Sequence, residues 1–237
     1  MNTAINTAIE VNSELSFFQR LQQETAKEQQ YLLSAPIIER CFKGEICVDD
    51  YVAFLQQAYH HVKHTVPLLM SVGAKLTDEQ EWLRCAVAEY IEEEIGHQEW
   101  ILNDIAQCGY DKEQARHSQP TLETQLMVAY SYDAINRKNP LTFFGLVHVL
   151  EGTSIAMADN VAASIGTALN LPQSAFSYLI SHGSIDIEHV KFFEELMNKI
   201  TDSQQQQVII NAAKVFYQLY GNIFRNLNTS HGVALAA

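Results

Sequence analysis

The segment His182-Gly-Ser-Ile-Asp186-Ile-Glu-His189 places two imidazoles and a carboxylate at positions i, i+4 and i+7. At about 100° per residue, these three side chains fall within roughly 60° of one another on a helical wheel. The same face continues with Phe193 and Leu196, so the polar residues extend an apolar stripe. The pattern predicts a helix packed against a core, with three polar groups that need partners there.

Two interpretations of this segment are open. Two histidines and an aspartate on one face are suitable ligands for a divalent transition metal such as iron, manganese or zinc. Alternatively, the segment is a helix start whose polar side chains cap the backbone and reach water. The segment alone does not distinguish a metal site from a helix start, and other residues of the chain are needed to do so.

The remaining sequence has the apolar periodicity of α-helices almost throughout. It lacks sustained two-residue alternation and an Asn-Gly hairpin signal, so no strand is predicted. With 237 residues, of which 47% are hydrophobic, and no low-complexity linker, the chain is expected to form one domain over residues 1–237. This domain is predicted to be an all-α bundle of about seven to nine helices. Residues 1–12 and 229–237 are expected to be flexible tails.

Several helix boundaries follow from capping and breaking residues. A helix over 49–76 is expected to kink at Pro67, since proline removes one helical hydrogen bond. The next helix opens with the capping-box pattern Thr77-Asp-Glu-Gln80 and is predicted to run on to Gly109. Near the C-terminal end, two separate helices are predicted over 172–181 and 184–200.

Charge and targeting signals exclude several classes of function. The net charge of −13 argues against nucleic acid and anionic membranes as partners. The N-terminus resembles no signal peptide and no apolar run is long enough to span a bilayer, so we expect a cytoplasmic protein. The four cysteines are widely spaced and form no CxxC pair, which favours reduced thiols over disulfides or a zinc ribbon.

A second group of polar residues interrupts the stripe of the helix predicted up to Gly109. Glu94 and His97 stand where the stripe would otherwise hold apolar residues. Glu93 is an alternative to Glu94, but its own stripe passes through Glu89 and looks more solvated. Runs of three acids usually lie on the surface, and that is the expectation for the rest of this run.

A third polar position is Glu151, which shares a face with Phe144, Val147 and His148. A carboxylate in such a stripe needs a partner from another helix, a raised pKa or a bound cation. His148 is interpreted either as a hydrogen-bond donor to a metal ligand or as a satisfied core histidine. The remaining histidine cluster comprises His60, His61 and His64, of which His61 is expected to line a pocket.

Taken together, these positions form an inventory of three carboxylates and three imidazoles, which suits a carboxylate-bridged dinuclear metal site inside a helical bundle. The six predicted ligands are Glu94, His97, Glu151, His182, Asp186 and His189.

In the order and spacing of these residues, the chain resembles the haem-oxygenase-like diiron oxidases, the metal-binding branch of the TenA/PqqC-like proteins. The resemblance implies a haem-oxygenase-like fold and two Fe(II) per chain, with manganese as an alternative metal and no haem. It also implies an O2-dependent oxidase or oxygenase acting on a small amine, amino acid or carboxylate. Expected partners are therefore O2 and a small molecule, and a homodimer is an open alternative to a monomer. Tyr90 stands where another branch of the family has its first glutamate.

Other activities of the same superfamily fit less well. A haem oxygenase needs a histidine on its first helix, and no histidine precedes His60. A thiaminase needs a cysteine in the central part of the chain, and none follows Cys108. The alternative from another class is a metal-free TenA/PqqC-like protein that binds or senses a small molecule in the same pocket. The expected pocket walls are Tyr59, Tyr90, Phe144 and Phe193.

Overall fold

The structure is a computed structural model that describes residues 15–227, except for the side chains at 155–165, 167 and 181–189. The predicted tails, 1–12 and 229–237, lie outside the described residues. Within residues 15–227 there are eleven α-helices and no β-strand, which confirms the all-α prediction. The helices are α1 (Phe17–Leu33), α2 (Pro36–Phe42), α3 (Val48–Val62), α4 (Thr65–Gly73), α5 (Glu81–Glu94), α6 (His97–Gln107), α7 (Lys112–His117), α8 (Leu122–Asp133), α9 (Thr142–Leu169), α10 (Ser177–Lys199) and α11 (Ser203–Arg225).

Three short segments complete the secondary structure of the described chain. Two are 3-10 turns, at Asp78–Gln80 and Gln173–Phe176, and one is a π-helical turn at Ala134–Lys138. The capping box at Thr77 is present as predicted, with Gln80 bonding back to the Thr77 backbone. None of the described helices is long and apolar enough to cross a membrane. All four cysteines are free thiols.

The most extensive helix packing joins α9 to α10 and α11, and α11 to α1. Helix α11 buries one apolar face, which includes Ile209, Ala213 and Phe216. Helix α9 meets this face at Gly145. A Cβ atom added to Gly145 would lie 2.7 Å from the Ala213 amide nitrogen and 2.9 Å from the Ile209 carbonyl oxygen. The two backbones are therefore in direct contact, and only glycine fits at this crossing.

The helix predicted over 49–76 is interrupted, though not at Pro67 itself. Helix α3 ends at Val62 and α4 begins at Thr65, so Lys63 and His64 form the break. Proline has no amide hydrogen to bond the carbonyl four residues earlier, and its ring clashes with that carbonyl. For Pro67 that carbonyl belongs to Lys63, which explains why the helix breaks there.

The prediction of one helix up to Gly109 is wrong, because the chain breaks at Ile95-Gly96. Ile95 is extended, and Gly96 has φ of +97°, in the left-handed region that L side chains rarely adopt. Helix α5 therefore ends at Glu94, and α6 begins at His97. These breaks explain why the count of helices exceeds the expected seven to nine.

The prediction of separate helices over 172–181 and 184–200 is also wrong. Helix α10 runs without interruption through Gly183, so His182 does not stand at a helix start. The start lies earlier because Asp104 of α6, which is fully buried, caps it. The Asp104 carboxylate accepts the backbone N–H groups of Ser177 (3.1 Å) and Tyr178 (2.8 Å). Burial raises the pKa of Asp104, although these hydrogen bonds oppose the shift.

The crossing at Gly145 predicts an asymmetry between two glycines of α9. Gly145→Ala should lower the free energy of unfolding by about 2 kcal/mol or more, because the methyl group would collide with α11 backbone. Gly152→Ala is the matched control, since its Cβ would meet only the Tyr217 hydroxyl at an ordinary 3.7 Å. Gly152→Ala should be neutral or stabilising by up to about 1 kcal/mol, the gain in helix propensity. Urea denaturation measures both, and equal effects would contradict the close crossing.

Candidate functional site

A cavity of about 70 Å³, here called the Glu94 cavity, lies where the α5–α6 break faces α9. Three of the six predicted ligands, Glu94, His97 and Glu151, line it. They come from three different helices, and up to 57 residues separate them in sequence. The rest of the wall is apolar, with Leu69, Val147 and Leu150 among its members, or carries hydroxyl groups.

Glu94 and His97 are in contact although they belong to different helices. The Glu94 Oε2 atom lies 3.1 Å from the His97 Nδ1 atom, across the turn formed by Ile95 and Gly96. His97 is buried, and the Glu94 side chain is 18% exposed. Glu93 is exposed and does not line the cavity, so the structure favours Glu94 over Glu93 as the inward-facing acid.

The His97 ring is covered by Trp100, which the sequence analysis did not identify. The two ring centroids are 4.2 Å apart and the planes are inclined by 32°. Trp100 follows His97 by three positions on α6, a spacing at which helical side chains meet. The i, i+3 spacing of His97 and Trp100 was therefore visible in the sequence, but an aromatic residue at this distance from a histidine usually indicates core packing.

Tyr90 also lines the Glu94 cavity. Its hydroxyl group lies close to the Glu151 carboxylate, and Glu93 and Glu94 are also close enough to act on it electrostatically. Burial raises the pKa of Tyr90 well above its usual range, and the neighbouring carboxylates raise it further. Tyr90 is therefore a neutral phenol beside Glu151, in addition to being the expected pocket wall.

Glu151 also borders a second cavity, of about 230 Å³, here called the Tyr217 cavity. Phe193, expected as a pocket wall, lines this one, whereas Phe144 and Tyr59 are buried and line neither of these two cavities. Neither lining includes a lysine or arginine among the residues that the structure describes. The α9 glutamate thus stands at a wall common to both cavities.

His148 is a satisfied core histidine and faces the Tyr217 cavity. Its Nε2 atom lies 3.2 Å from the Thr25 hydroxyl and 3.5 Å from that of Tyr217, and its ring stacks on Phe193. Burial lowers the pKa of His148 to about 4, so the ring is neutral at pH 7. Of the two interpretations of His148, the structure supports the core histidine.

Two members of the other histidine cluster, His60 and His64, are held by hydrogen bonds to side chains outside both cavities. The His60 Nε2 atom pairs with Ser118 at 2.8 Å, and Lys63 donates to its Nδ1 atom at 3.2 Å. Burial and this lysine lower the pKa of His60 to about 4. His64 pairs with the Tyr132 hydroxyl at 3.1 Å. His61 packs edge-on against the ring of Tyr220, which itself lines the Glu94 cavity.

The side chains of His182, Asp186 and His189 lie outside the described residues. The backbone around them is helical, so their spacing puts all three on one face of α10. Helix α10 packs against α9, which carries Glu151, and Asp104 ties its start to the helix that carries His97. Among the described side chains, no three His, Cys, Asp or Glu residues form a group able to hold a metal ion.

The buried His148 predicts a loss of stability in acid. Between pH 6.5 and 4 the unfolded chain binds a proton that the folded chain rejects, so the free energy of unfolding falls as the pH is lowered. His148→Gln keeps an amide donor for Thr25 but does not titrate. From pH 7 to pH 5, the wild type should lose about 2 kcal/mol more than this variant does, measured by urea denaturation at both values. Parallel losses would show that His148 is protonated in the folded state.

Comparison with solved structures identifies the fold. A domain of unknown function with a heme oxygenase-like fold from Shewanella denitrificans superimposes with a TM-score of 0.81 at 23% identity, covering 91% of this chain and 93% of that one. A TenA homologue from Pseudomonas syringae gives 0.76 at 12% identity, with coverages of 89% and 92%. The heme oxygenase of Leptospira interrogans gives 0.72 at 17% identity, with coverages of 89% and 99%.

Sequence comparison gives the family. No functionally curated protein matches the chain by sequence. The model of a haem-oxygenase-like family, described as iron-containing redox enzymes, matches residues 52–221. That span includes Glu94, His97 and Glu151 as well as the segment 182–189, so the match covers all six predicted ligands. The chain therefore belongs to the haem-oxygenase-like family of iron-containing redox enzymes.

Proposed function

We propose that the protein is an O2-dependent non-haem iron oxidase or oxygenase, with two Fe(II) per chain and manganese as the alternative metal. The proposed substrate is a small amine, amino acid or carboxylate. The proposed ligands are Glu94, His97, Glu151, His182, Asp186 and His189. The observation that supports this best is that Glu151, which is more than 50 positions away from Glu94 and His97 in sequence, lines the same cavity as these two residues.

The chemistry of the donors fits iron. Carboxylate oxygens and imidazole nitrogens are the usual ligands of iron and manganese in non-haem sites, and the described lining offers both kinds. Burying two carboxylates and an imidazole side by side is costly unless each has a partner, and a bound cation would be a partner for all three. Iron held there would supply electrons for the reduction of O2 and an electrophilic position for the substrate.

The surrounding residues have distinct tasks in this proposal. Tyr90, a neutral phenol beside Glu151, would donate a hydrogen bond to the carboxylate and so orient it, as outer hydrogen bonds do around metal ligands. Trp100 holds the plane of the His97 ring. The apolar residues Leu69, Val147 and Leu150 limit the access of water to the cavity. Asp104 fixes the start of α10 and with it the register of the segment 182–189.

Ligation of haem by the first helix has no support in these residues. The polar residue that α1 turns toward the core is Thr25, whose hydroxyl donates to the Leu21 carbonyl at 2.7 Å. Its oxygen is also in contact with His148. Both sides of this hydroxyl are thus engaged within the protein, and threonine is not a haem ligand of the histidine kind.

A second candidate function is a metal-free protein that binds a small molecule. The observation in its favour is the Tyr217 cavity, which is larger than the Glu94 cavity and is built mainly from residues outside the proposed ligand set. TenA homologues with the same fold are compatible with such a role. Metal binding and O2 consumption separate the two functions.

The first test is of metal binding and uses Trp100 as the reporter. The chain has two tryptophans, so Trp82→Phe leaves Trp100 as the only one. Mn(II) should quench its fluorescence, because a paramagnetic ion bound by His97 would lie next to the indole ring. Diamagnetic Zn(II) should compete for the site with far less quenching. In the same background, Glu94→Gln should weaken Mn(II) binding about 100-fold, through the loss of a ligand.

The matched control for Glu94→Gln is Glu92→Gln. Glu92 is exposed and does not line the cavity, yet the substitution changes the net charge by the same amount. Its Mn(II) affinity should equal that of the parent protein. Equal affinities of the Glu94 and Glu92 variants would remove Glu94 from the ligand set.

The second test is of chemistry. Protein loaded anaerobically with Fe(II) should consume O2, faster in the presence of a true substrate from a panel of amines, amino acids and carboxylates. Glu151→Gln should reduce the rate at least about 100-fold, and Tyr90→Phe should weaken iron binding about tenfold. An oxygen electrode and product analysis by mass spectrometry measure these effects. A two-iron preparation that leaves O2 untouched across the panel would favour the metal-free binding protein.

A further inference from the structure

The Tyr217 cavity lies between α1, α9, α10 and α11, next to the Glu94 cavity but with a different wall. Phe18 and Phe193 form an aromatic surface, and their ring centroids are 6.1 Å apart. The buried polar side chains of this wall are those of Thr25, His148 and Tyr217, and Glu151, Gln22 and Gln29 also line it. The cavity has a volume of about 230 Å³. For comparison, a dry cavity of about 150 Å³ is large enough for benzene.

The donor and the acceptor of each hydrogen bond in this wall can be assigned. The Thr25 hydroxyl donates its proton to the Leu21 carbonyl at 2.7 Å, so toward His148 its oxygen acts as an acceptor. The His148 Nε2 atom must therefore carry the ring hydrogen and donate it to Thr25. With that hydrogen in place, Nε2 has no lone pair for the Tyr217 hydroxyl, which lies 3.5 Å away.

The phenol proton of Tyr217 is thus not used within this trio of residues. Tyr217 is only 1% exposed, and its oxygen lies next to Gly152, which lines the same cavity. Burial also raises the pKa of Tyr217, so the proton stays on the phenol over the physiological range. A buried donor of this kind almost always has an acceptor, and here the open side is the cavity.

We propose that the Tyr217 cavity is a ligand subsite that binds an uncharged, oxygen-bearing group on a small, mainly apolar molecule. Tyr217 donates to the carbonyl, ether or hydroxyl oxygen of that group, and the apolar body lies against Phe18 and Phe193. The size corresponds to one ring with a few substituent atoms. That this molecule is the substrate rests on the proposed function. If Glu151 is a metal ligand, a molecule in the Tyr217 cavity lies next to the metal, since Glu151 lines both cavities.

The charge of the wall determines the class of ligand. The described lining contains no lysine or arginine, and His148 is neutral at pH 7, so an anionic group would lose its hydration without gaining a counterion. Gln22 and Gln29, at the α1 side of the cavity, add neutral amide groups that can donate or accept. With the metal of the proposed function bound, a substrate carboxylate or amine would face Glu151 and the Glu94 cavity, with its uncharged end at Tyr217.

The experiment uses two probes of nearly the same shape: benzamide, which is neutral, and benzoate, which is anionic. Binding to full-length, metal-free protein is measured by calorimetry and ligand-observed NMR in the presence of a chelator. Benzamide should bind at least tenfold more tightly than benzoate. Tyr217→Phe should weaken benzamide binding about tenfold. Tyr220→Phe, one turn away on the same helix but facing the Glu94 cavity, should leave it unchanged.

Gly152→Ala gives a second variant that does not depend on a polar deletion. The added methyl group would lie 3.7 Å from the Tyr217 hydroxyl, where the ligand oxygen is proposed to bind. This variant should keep or raise the melting temperature yet weaken benzamide binding at least fivefold. Benzoate binding as tightly as benzamide, or benzamide binding unaffected by Tyr217→Phe and Gly152→Ala, would overturn the proposal.

The two proposals fail in different ways. Because the probes are tested without metal, a protein that binds no iron but binds benzamide through Tyr217 would refute the oxidase and retain the subsite. Conversely, iron binding through Glu94 with no detectable benzamide binding at 10 mM, a concentration about tenfold above a millimolar Kd, would retain the oxidase and refute the subsite.

Discussion

The contact of the α9 backbone with α11 at Gly145 sets the geometry on which the two cavities depend. Helix axes normally lie about 8–10 Å apart, with side chains between them, but here a Cβ atom on α9 would touch α11 backbone. Residues one and two turns further along α9, His148 and Gly152, are therefore held against Tyr217 of α11. The neighbouring face of α9 presents Val147 and Glu151 to the α5–α6 break. The single crossing at Gly145 thus fixes the positions of both His148 and Glu151.

The sequence was sufficient for the helical class and for part of the site. Glu94, His97 and Glu151 interrupt apolar stripes, and a stripe faces the core whatever the details of the helix ends, so these three residues could be expected to converge. The choice of Glu94 over Glu93 rested on the same periodicity. His182, Asp186 and His189 stay a prediction, supported by their helical spacing alone.

The helix ends and the contacts between helices could not be predicted in the same way. Glycine costs about 1 kcal/mol in a helix at either position, so local preference does not distinguish Gly96, where the chain breaks, from Gly183, where it continues. The difference is tertiary: Asp104 caps α10 at Ser177, upstream of Gly183. The proximity of Tyr90 to Glu151 likewise concerns residues 61 positions apart, and no local sequence pattern predicts it.

The turn at Gly96 makes the Glu94–His97 pair mechanically different from the same two residues on a continuous helix. Within one helix, the distance between side chains at i and i+3 is set by the fixed rise and rotation per residue. Here Glu94 is the last residue of α5 and His97 is the first residue of α6. The two helices are joined through Ile95 and Gly96, and Gly96 has a left-handed backbone conformation. The separation of the Glu94 and His97 side chains is therefore set by the backbone angles of Ile95 and Gly96. In the proposed metal site, this turn would determine how far apart the two donors stand, while the position of Glu151 is fixed by the interior of α9.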